Sequence, residues 1–469
     1  MGAGPNGLAA AIRLAQADLR VLLLEAADTV GGGVRSADIT LPGFVHDLCS
    51  AIHPLGIGSP FFRQLPLGQH GLEWIQPKFP LAHPLDNGTA AILSRSLAET
   101  AAGLASDGPA YQRLMQPLTN RWEDLADDFL RPMLHFPEHP FLLAGFALSG
   151  LRSASAMSSN WFRGEKAKAL FGGLAAHSFL RLDQIPSSAF AIVLGLFGHA
   201  CGWPMPRGGS GSLSRALANY FESLGGEIAL NSRVEHLSEA RMAPITLLDL
   251  APQQFVCIAS AEMPLSYRKK LVAYRYGPGV FKLDYALSGP IPWRAEECRA
   301  AGTVHIGGTF GEIARAEREV AEGLHPERPF VLLAQPTLFD PARAPTGKHI
   351  AWAYTHVPSG SSTDMTERIE RQIERFAPGF GRLVMARHKM GCADLEARNP
   401  NLVGGDINGG AADFFQLIAR PTFSPCPYRT AIKGVYLCSS STPPGGGVHG
   451  MCGFHAANAA LKDAGKFRR

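Results

Sequence analysis

No Cys-x-x-Cys pair occurs anywhere in the chain. The eight cysteines, at 49, 201, 257, 298, 392, 426, 438 and 452, are dispersed, which leaves a dithiol redox centre and a ribbon-type zinc site without ligands. Thiols spread this way read as reduced core residues of a cytoplasmic protein. An excess of one charge is lacking too. With 44 Lys and Arg against 40 Asp and Glu, the net charge of +4 is too even for a nucleic-acid surface. No apolar run reaches the roughly 18 residues that cross a bilayer. The most apolar stretches, 141–151 and 189–200, read as buried helices, or else as the wall of an apolar tunnel or a shallow membrane-docking surface. No basic-then-apolar leader opens the chain, and Asn6 stands where myristoylation needs Ser or Thr. Repeats and low-complexity segments are absent as well.

What is present is a core-forming chain of 469 residues, 46% hydrophobic and 18% charged, long enough for two or three domains. It opens MGAGPNGLAAAIRLAQ. Gly2, Gly4 and Gly7 form G-x-G-x-x-G, Leu8 to Ala17 reads as a helix, and Arg20 to Glu25 reads as a buried strand ending in an acid. That context points to a dinucleotide. Glycines around Pro5 and Asn6 let a pyrophosphate approach bare N–H groups at a helix N-terminus. Glu25, with Ala26 beside it, sits where a carboxylate accepts hydrogen bonds from ribose hydroxyls and repels a 2′-phosphate, arguing against NADP. Only Met1 precedes the fingerprint, where a strand normally feeds the loop. The expectation is that this strand lies upstream of Met1; a decayed site or another segment in the slot are the alternatives.

Two further glycine loops follow. Gly31, Gly32 and Gly33 lead to Arg35. Ser212 to Leu224 reads as a helix stopped by Gly225-Gly226, with strand-like pieces at 227–230 and 232–237 and a run resembling a further strand and turn at 247–252. Near the end, Lys433 to Asn458 reads as strand, Gly445-Gly446-Gly447 loop and Ala-rich helix from about Val448.

Together with Leu41–Asp47, Ser50–His53, Tyr276–Tyr285 and Asn399–Gly410, these loops resemble the phytoene desaturase-like flavoproteins of the amine-oxidase/GDI fold group. The resemblance implies an α/β fold of the glutathione-reductase superfamily type. A Rossmann-like FAD-binding domain, its first strand truncated, would comprise 1–65, 205–265 and 425–469. An α+β substrate domain with an antiparallel sheet and a helical cap would comprise 66–204 and 266–424. The resemblance also implies the cofactor contacts. Gly2, Gly4, Pro5, Asn6, Gly7, Glu25, Ala26, Gly32, Gly33 and Arg35 would hold pyrophosphate and ribose. Val234 would meet adenine, and Ser441, Gly446, Gly447, Val448 and His449 would meet the isoalloxazine.

The implied reaction is hydride transfer from a hydrophobic small molecule to flavin N5, with oxygen or a quinone as acceptor and peripheral membrane contact as an option. Two side chains are the catalytic candidates. Lys282 resembles the strand lysine of amine oxidases that is water-linked to flavin N5. The alternation of its strand also allows Phe281, Leu283 and Tyr285 inside, with Lys282 and Asp284 on a wet face. His449 reads either as an isoalloxazine contact or as a helix cap. His46, Asp47 and His53 match no standard metal spacing and read as core hydrogen-bonding groups, and no metal is expected. Cys452 reads as a buried thiol. Two other readings stay open: an amine oxidase with an aromatic cage drawn from Tyr285, Trp352 and Phe454, or a non-catalytic GDI-like protein that holds a lipid or partner.

Overall fold

The computed structural model describes residues 1–133 and 135–465. Helix α1 (Pro5–Ala15) and strand β1 (Leu22–Leu24) open the chain, followed by the hairpin β2 (Ser36–Asp38) and β3 (Val45–Asp47). Strands β4 (Phe79–Pro84) and β5 (Ala90–Leu93) precede a helical stretch containing α2 (Pro140–Gly150), α3 (Glu165–Ala176) and α4 (Ser187–Ala200). The chain then forms α5 (Gly211–Ser223), β6 (Glu227–Ala229) and β7 (Thr246–Leu248). Five more strands follow: β8 (Gly279–Leu287), β9 (Ala301–Ile306), β10 (Val331–Ala334), β11 (His349–Val357) and β12 (Val384–Met390). Strand β13 (Val435–Leu437) and helix α6 (Met451–Asp463) end the described chain.

Two parallel two-stranded sheets, β1 with β6 and β13 with β7, lie on either side of the chain start and together serve as the first sheet. Residues 1–3 run between them. The Met1 amino group donates to the Leu247 carbonyl at 2.9 Å, the Asp249 N–H donates to the Met1 carbonyl at 2.9 Å, and the Gly2 N–H donates to the Leu24 carbonyl at 2.7 Å. This short segment satisfies backbone groups on both flanking strands. Pro5 starts α1 at a position whose N–H would have no helical partner anyway. Behind the loop, Leu8, Ile12, Leu23, Leu213, Leu217, Phe221 and Met451 share one apolar cluster that holds α1, α5 and α6 against the strands.

The second sheet has seven strands in the order β12-β8-β11-β10-β9-β4-β5. Its pairs are antiparallel except β9 with β4, which is parallel. The wet face that alternation allows for β8 does not exist. All nine of its residues are buried, Lys282 and Asp284 included. One face packs Phe281, Leu283 and Tyr285 into an apolar cluster. On the other, Lys282 and Asp284 pair with each other beneath β3, whose His46 Nδ1 lies 3.7 Å from Asp284. Alternation along a strand reports two faces, not which of them meets water.

Two other expectations are corrected. Residues 232–236 form a loop, not a strand, and Leu237 begins a short helix, Leu237–Ala240. Asn231 takes a left-handed φ of 52°, and the next N–H, that of Ser232, turns back to the Glu25 carbonyl at 2.7 Å. Helix α2 is not buried either. Only Gly150 of it is buried, while Phe141 is 92% and Leu148 73% exposed. Helix α4 is half as expected: Ile192, Leu196 and Phe197 are in the core, and Phe190, Val193 and Leu194 face a cavity.

Candidate active site

A cavity of 830 Å³ lies between the two sheets. Gly2, Gly4, Pro5, Asn6, Glu25, Ala26, Gly32, Gly33, Arg35 and Val234 line one part of it, and Ser441, Gly446, Gly447, Val448 and His449 another. Of the cofactor-binding and catalytic candidates, Gly7 and Lys282 are not in that lining. Gly7 faces inward, where a Cβ would stand 1.8 Å from the Gly2 carbonyl oxygen. Its N–H donates to Asp249 Oδ2 at 3.1 Å. Lys282 sits behind Trp352, its ammonium 5.7 Å from the ring centre.

Backbone geometry explains the glycines. Gly32 has φ 54°, and a Cβ there would lie 3.1 Å from the Gly4 Cα, so the first two glycine loops touch. Gly447 has φ 118°, and its Cβ would meet Leu55 at 2.8 Å. Gly33 is different: a Cβ there meets nothing within 4 Å. Glu25 is held in place by two N–H donors, Ala3 at 2.6 Å and Ala27 at 2.8 Å. Arg35 Nε donates to the Gly32 carbonyl at 3.1 Å, and among the described residues its guanidinium forms no ion pair with a carboxylate.

Two buried polar atoms in this wall have no hydrogen-bond partner among the described residues: Asn6 Oδ1 and His449 Nε2. His449 Nδ1 accepts the Met451 N–H at 3.0 Å, so the ring proton sits on Nε2 and is left to donate. Burial lowers the pKa of His449 to about 4, which keeps it neutral. Bare glycine backbone, a carboxylate at the strand end, a free guanidinium and an orphaned imidazole donor fit the sugar, phosphates and flat ring edge of a flavin dinucleotide. Ser441 spends its hydroxyl on the Gly409 carbonyl at 2.8 Å, so only its surface is offered to the cavity.

The far end of the cavity is apolar and aromatic. Strands β9, β10 and β11 supply Thr303, Leu332, Trp352 and Tyr354; Phe179, Phe190 and Leu194 supply the opposite wall. Trp352 and Tyr354 meet edge to face with centroids 5.0 Å apart. His177 also lines this end, its Nε2 lying 3.0 Å from that of His305. Tyr285 and Phe454 take no part. Tyr285 packs on Phe380 at 5.1 Å and Phe454 on Phe61 at 4.7 Å, so the cage expected from Tyr285, Trp352 and Phe454 is not assembled.

Residues 1–65 match the NAD(P)-binding Rossmann-like domain. Over 99% of its length, the chain is 26% identical to pyridine nucleotide-disulfide oxidoreductase domain-containing protein 2 of Rattus norvegicus, covering 93% of that protein. It is 25% identical to the lycopene-forming phytoene desaturase of Pseudescherichia vulneris, with 98% of each chain aligned. An oxidoreductase from Methanosarcina mazei superposes with a TM-score of 0.66 at 16% identity over 98% of each chain, which speaks for the fold. Over nearly its whole length the chain is thus similar to that oxidoreductase-domain protein and to phytoene desaturases.

Several residues of this desaturase-like chain were not legible as site residues. Asp249 stood in a run read only as strand and turn, yet its carboxyl group reaches the α1 N-terminus. The signal was there, a lone acid inside Leu247-Leu-Asp-Leu-Ala-Pro252. His177 gave none, since only folding brings it to the cavity. The remaining candidates have structural partners. Asp47 is buried, which opposes its ionisation, yet Arg343 at 2.8 Å and the Ser210 N–H hold its pKa below the ordinary value. His53 Nε2 meets the Ser210 hydroxyl at 2.8 Å, and His46 Nε2 meets that of Thr40 at 2.7 Å. The Cys452 thiol, pushed up to about 12 by burial, donates to the Thr442 carbonyl at 3.4 Å.

Proposed function

We propose that this oxidoreductase takes a hydride from an apolar small molecule held against the Trp352–Tyr354 face. The supporting observation is the continuity of the cavity: its glycine-lined end and its apolar end are one space. When bound, FAD supplies the hydride acceptor. The chain's residues do the rest. Glu25 accepts from ribose hydroxyls, the Gly2–Gly4 loop and Arg35 meet the pyrophosphate, and the loop at Val234 closes over the adenine. His449 offers its Nε2–H to the ring edge, and α6 starts two residues later, so its dipole favours negative charge there. Leu332, Trp352, Phe190 and Leu194 exclude water and orient the substrate.

Purified protein is expected to be yellow, to bleach without air when the right apolar substrate is added, and to recover with oxygen or a quinone. A colourless protein that takes up no added FAD overturns the reading. Glu25→Gln is expected to weaken FAD binding by about ten- to a hundredfold, since a hydrogen bond to a charged group contributes ~1.5–3 kcal/mol. Quenching of flavin fluorescence on titration measures it.

The mouth of the chamber supports a lipophilic substrate. Leu143, Phe146 and Leu151 line the cavity, while Phe136, Phe141 and Leu148 next to them face outward. An apolar helix at the opening lets substrate pass from a lipid surface without crossing water. None of the described helices is long and apolar enough to cross a membrane. The double variant Phe141→Ser/Leu148→Ser is expected to lower co-sedimentation with phosphatidylcholine vesicles at least tenfold, because each buried side chain contributes ~1.5–3 kcal/mol. Flavin content should not change. Equal sedimentation of both proteins rejects the lipid contact.

A further inference from the structure

Asp249 stands where an anion is expected. Its Oδ2 accepts the Gly7 N–H in the first turn of α1. A Cβ on Gly4 would lie 2.9 Å from the same oxygen. The residue lines the cavity alongside Gly2, Gly4 and Asn6. It cannot easily withdraw, because its backbone is pinned on both sides. Its N–H donates to the Met1 carbonyl, and its carbonyl accepts from Asn401 Nδ2 at 2.8 Å. The Asn401 side chain is itself fixed by the Ala251 N–H at 2.7 Å. A second carboxylate, Glu25, lies across the same loop.

We propose that FAD retention in this protein is proton-linked through Asp249: the carboxyl group shares the α1 N-terminus with the bridging phosphates, and the dinucleotide binds with that carboxyl protonated. The inference rests on the cofactor reading above. A carboxylate next to a doubly charged pyrophosphate repels it, whereas a neutral acid donates its O–H to a phosphate oxygen. The surroundings favour the neutral form. Burial lifts the Asp249 pKa to about 7, with the Gly7 N–H and the Met1 amino group pulling down and Glu25 pushing up. The other titratable groups facing it are the Cys438 and Cys452 thiols, both raised by burial and so uncharged across the working range.

The linkage has a fixed sign. Below pH 7 the acid is already protonated in the free protein, so affinity is flat. Above pH 7 the free protein loses that proton and must regain it to bind, so affinity falls by up to about tenfold per pH unit.

The test is to titrate flavin-stripped protein with FAD between pH 5.5 and 9 at constant ionic strength, following fluorescence quenching. The dissociation constant of the wild type should rise about tenfold or more between pH 7 and 8.5. That of Asp249→Asn should stay flat and be tighter than wild type at pH 8.5. Calorimetry on the wild type alone, at pH 8 in two buffers of different ionisation enthalpy, should count close to one proton taken up per FAD. Riboflavin, which lacks the phosphates, should bind without that uptake. An affinity that is flat with pH, or no proton uptake, overturns the inference and leaves the cofactor reading standing. A protein that takes up no FAD at any pH overturns both.

Discussion

Replacing Gly453 by alanine is expected to leave the protein without flavin and less stable by about 1–3 kcal/mol or more, the usual range for forcing atoms into a packed interior. The residue lies in the first turn of α6. A Cβ there would stand 1.8 Å from the Asn6 carbonyl oxygen and 2.9 Å from the Ala10 nitrogen. Relief requires α6 and α1 to part. Yet α1 has no room on its other side, because a Cβ at Gly7 would already overlap the Gly2 carbonyl. Parting the helices would move the loop at Gly2–Gly7 away from the loop at Gly446–His449, and the dinucleotide needs both. Thermal unfolding and the flavin absorption band report the two effects together. Gly33→Ala is the contrasting case. A Cβ meets nothing there within 4 Å, so stability should hold, and any loss of flavin would report direct contact with the cofactor. Wild-type stability and full flavin content in Gly453→Ala would refute this account of helix packing.

The second large effect is expected from Lys282→Met, at about 3–5 kcal/mol of stability, as for removing one partner of a buried ion pair. Lys282 and Asp284 are both buried and pair only two residues apart. Burial drives the lysine pKa down and raises that of Asp284 to about 6, while their attraction pulls each back. Removing the ammonium raises the Asp284 pKa further. A carboxyl whose pKa is raised by folding contributes stability at low pH and loses it as pH climbs through the folded value. The variant's deficit should therefore be small near pH 5 and full near pH 8 in denaturant unfolding. Adding Asp284→Asn should recover most of it, and a deficit that does not change with pH would reject the ion-pair account. The double variant also tests the lysine's role toward the flavin. Lys282 meets the cavity only through Trp352, so it is a positioning residue if air reoxidation of the flavin slows in the double variant, and a structural one if the rate is unchanged.

Much of the architecture was legible because it rests on local signals. The helix after the fingerprint, the acid at the strand end, the Gly-Gly stop after α5 and the Ala-rich last helix each announce themselves by spacing and composition. The reading of the glycine loops as dinucleotide contacts rests on the same kind of signal, bare backbone at a helix start, and the structure brings those loops to one cavity. Solvent exposure was not legible. Helix α2 and strand β8 carry patterns that look alike for a buried and an exposed element, so the buried reading of the first and the wet-face reading of the second both fail. The apolar α2 lies outside at a cavity mouth, and the Lys282–Asp284 face of β8 lies inside.

The sequence by itself determined the kind of ligand this chain is built to hold, since three side-chain-free stretches and a well-spaced carboxylate are short-range facts carried by residue identity. Which groups share that ligand's space was decided only by the tertiary structure. Asp249, His177 and Trp352 come from distant segments, and their meeting depends on how two sheets close over one cavity. Burial and long-range contact are properties of the packed chain, so no local pattern encodes them.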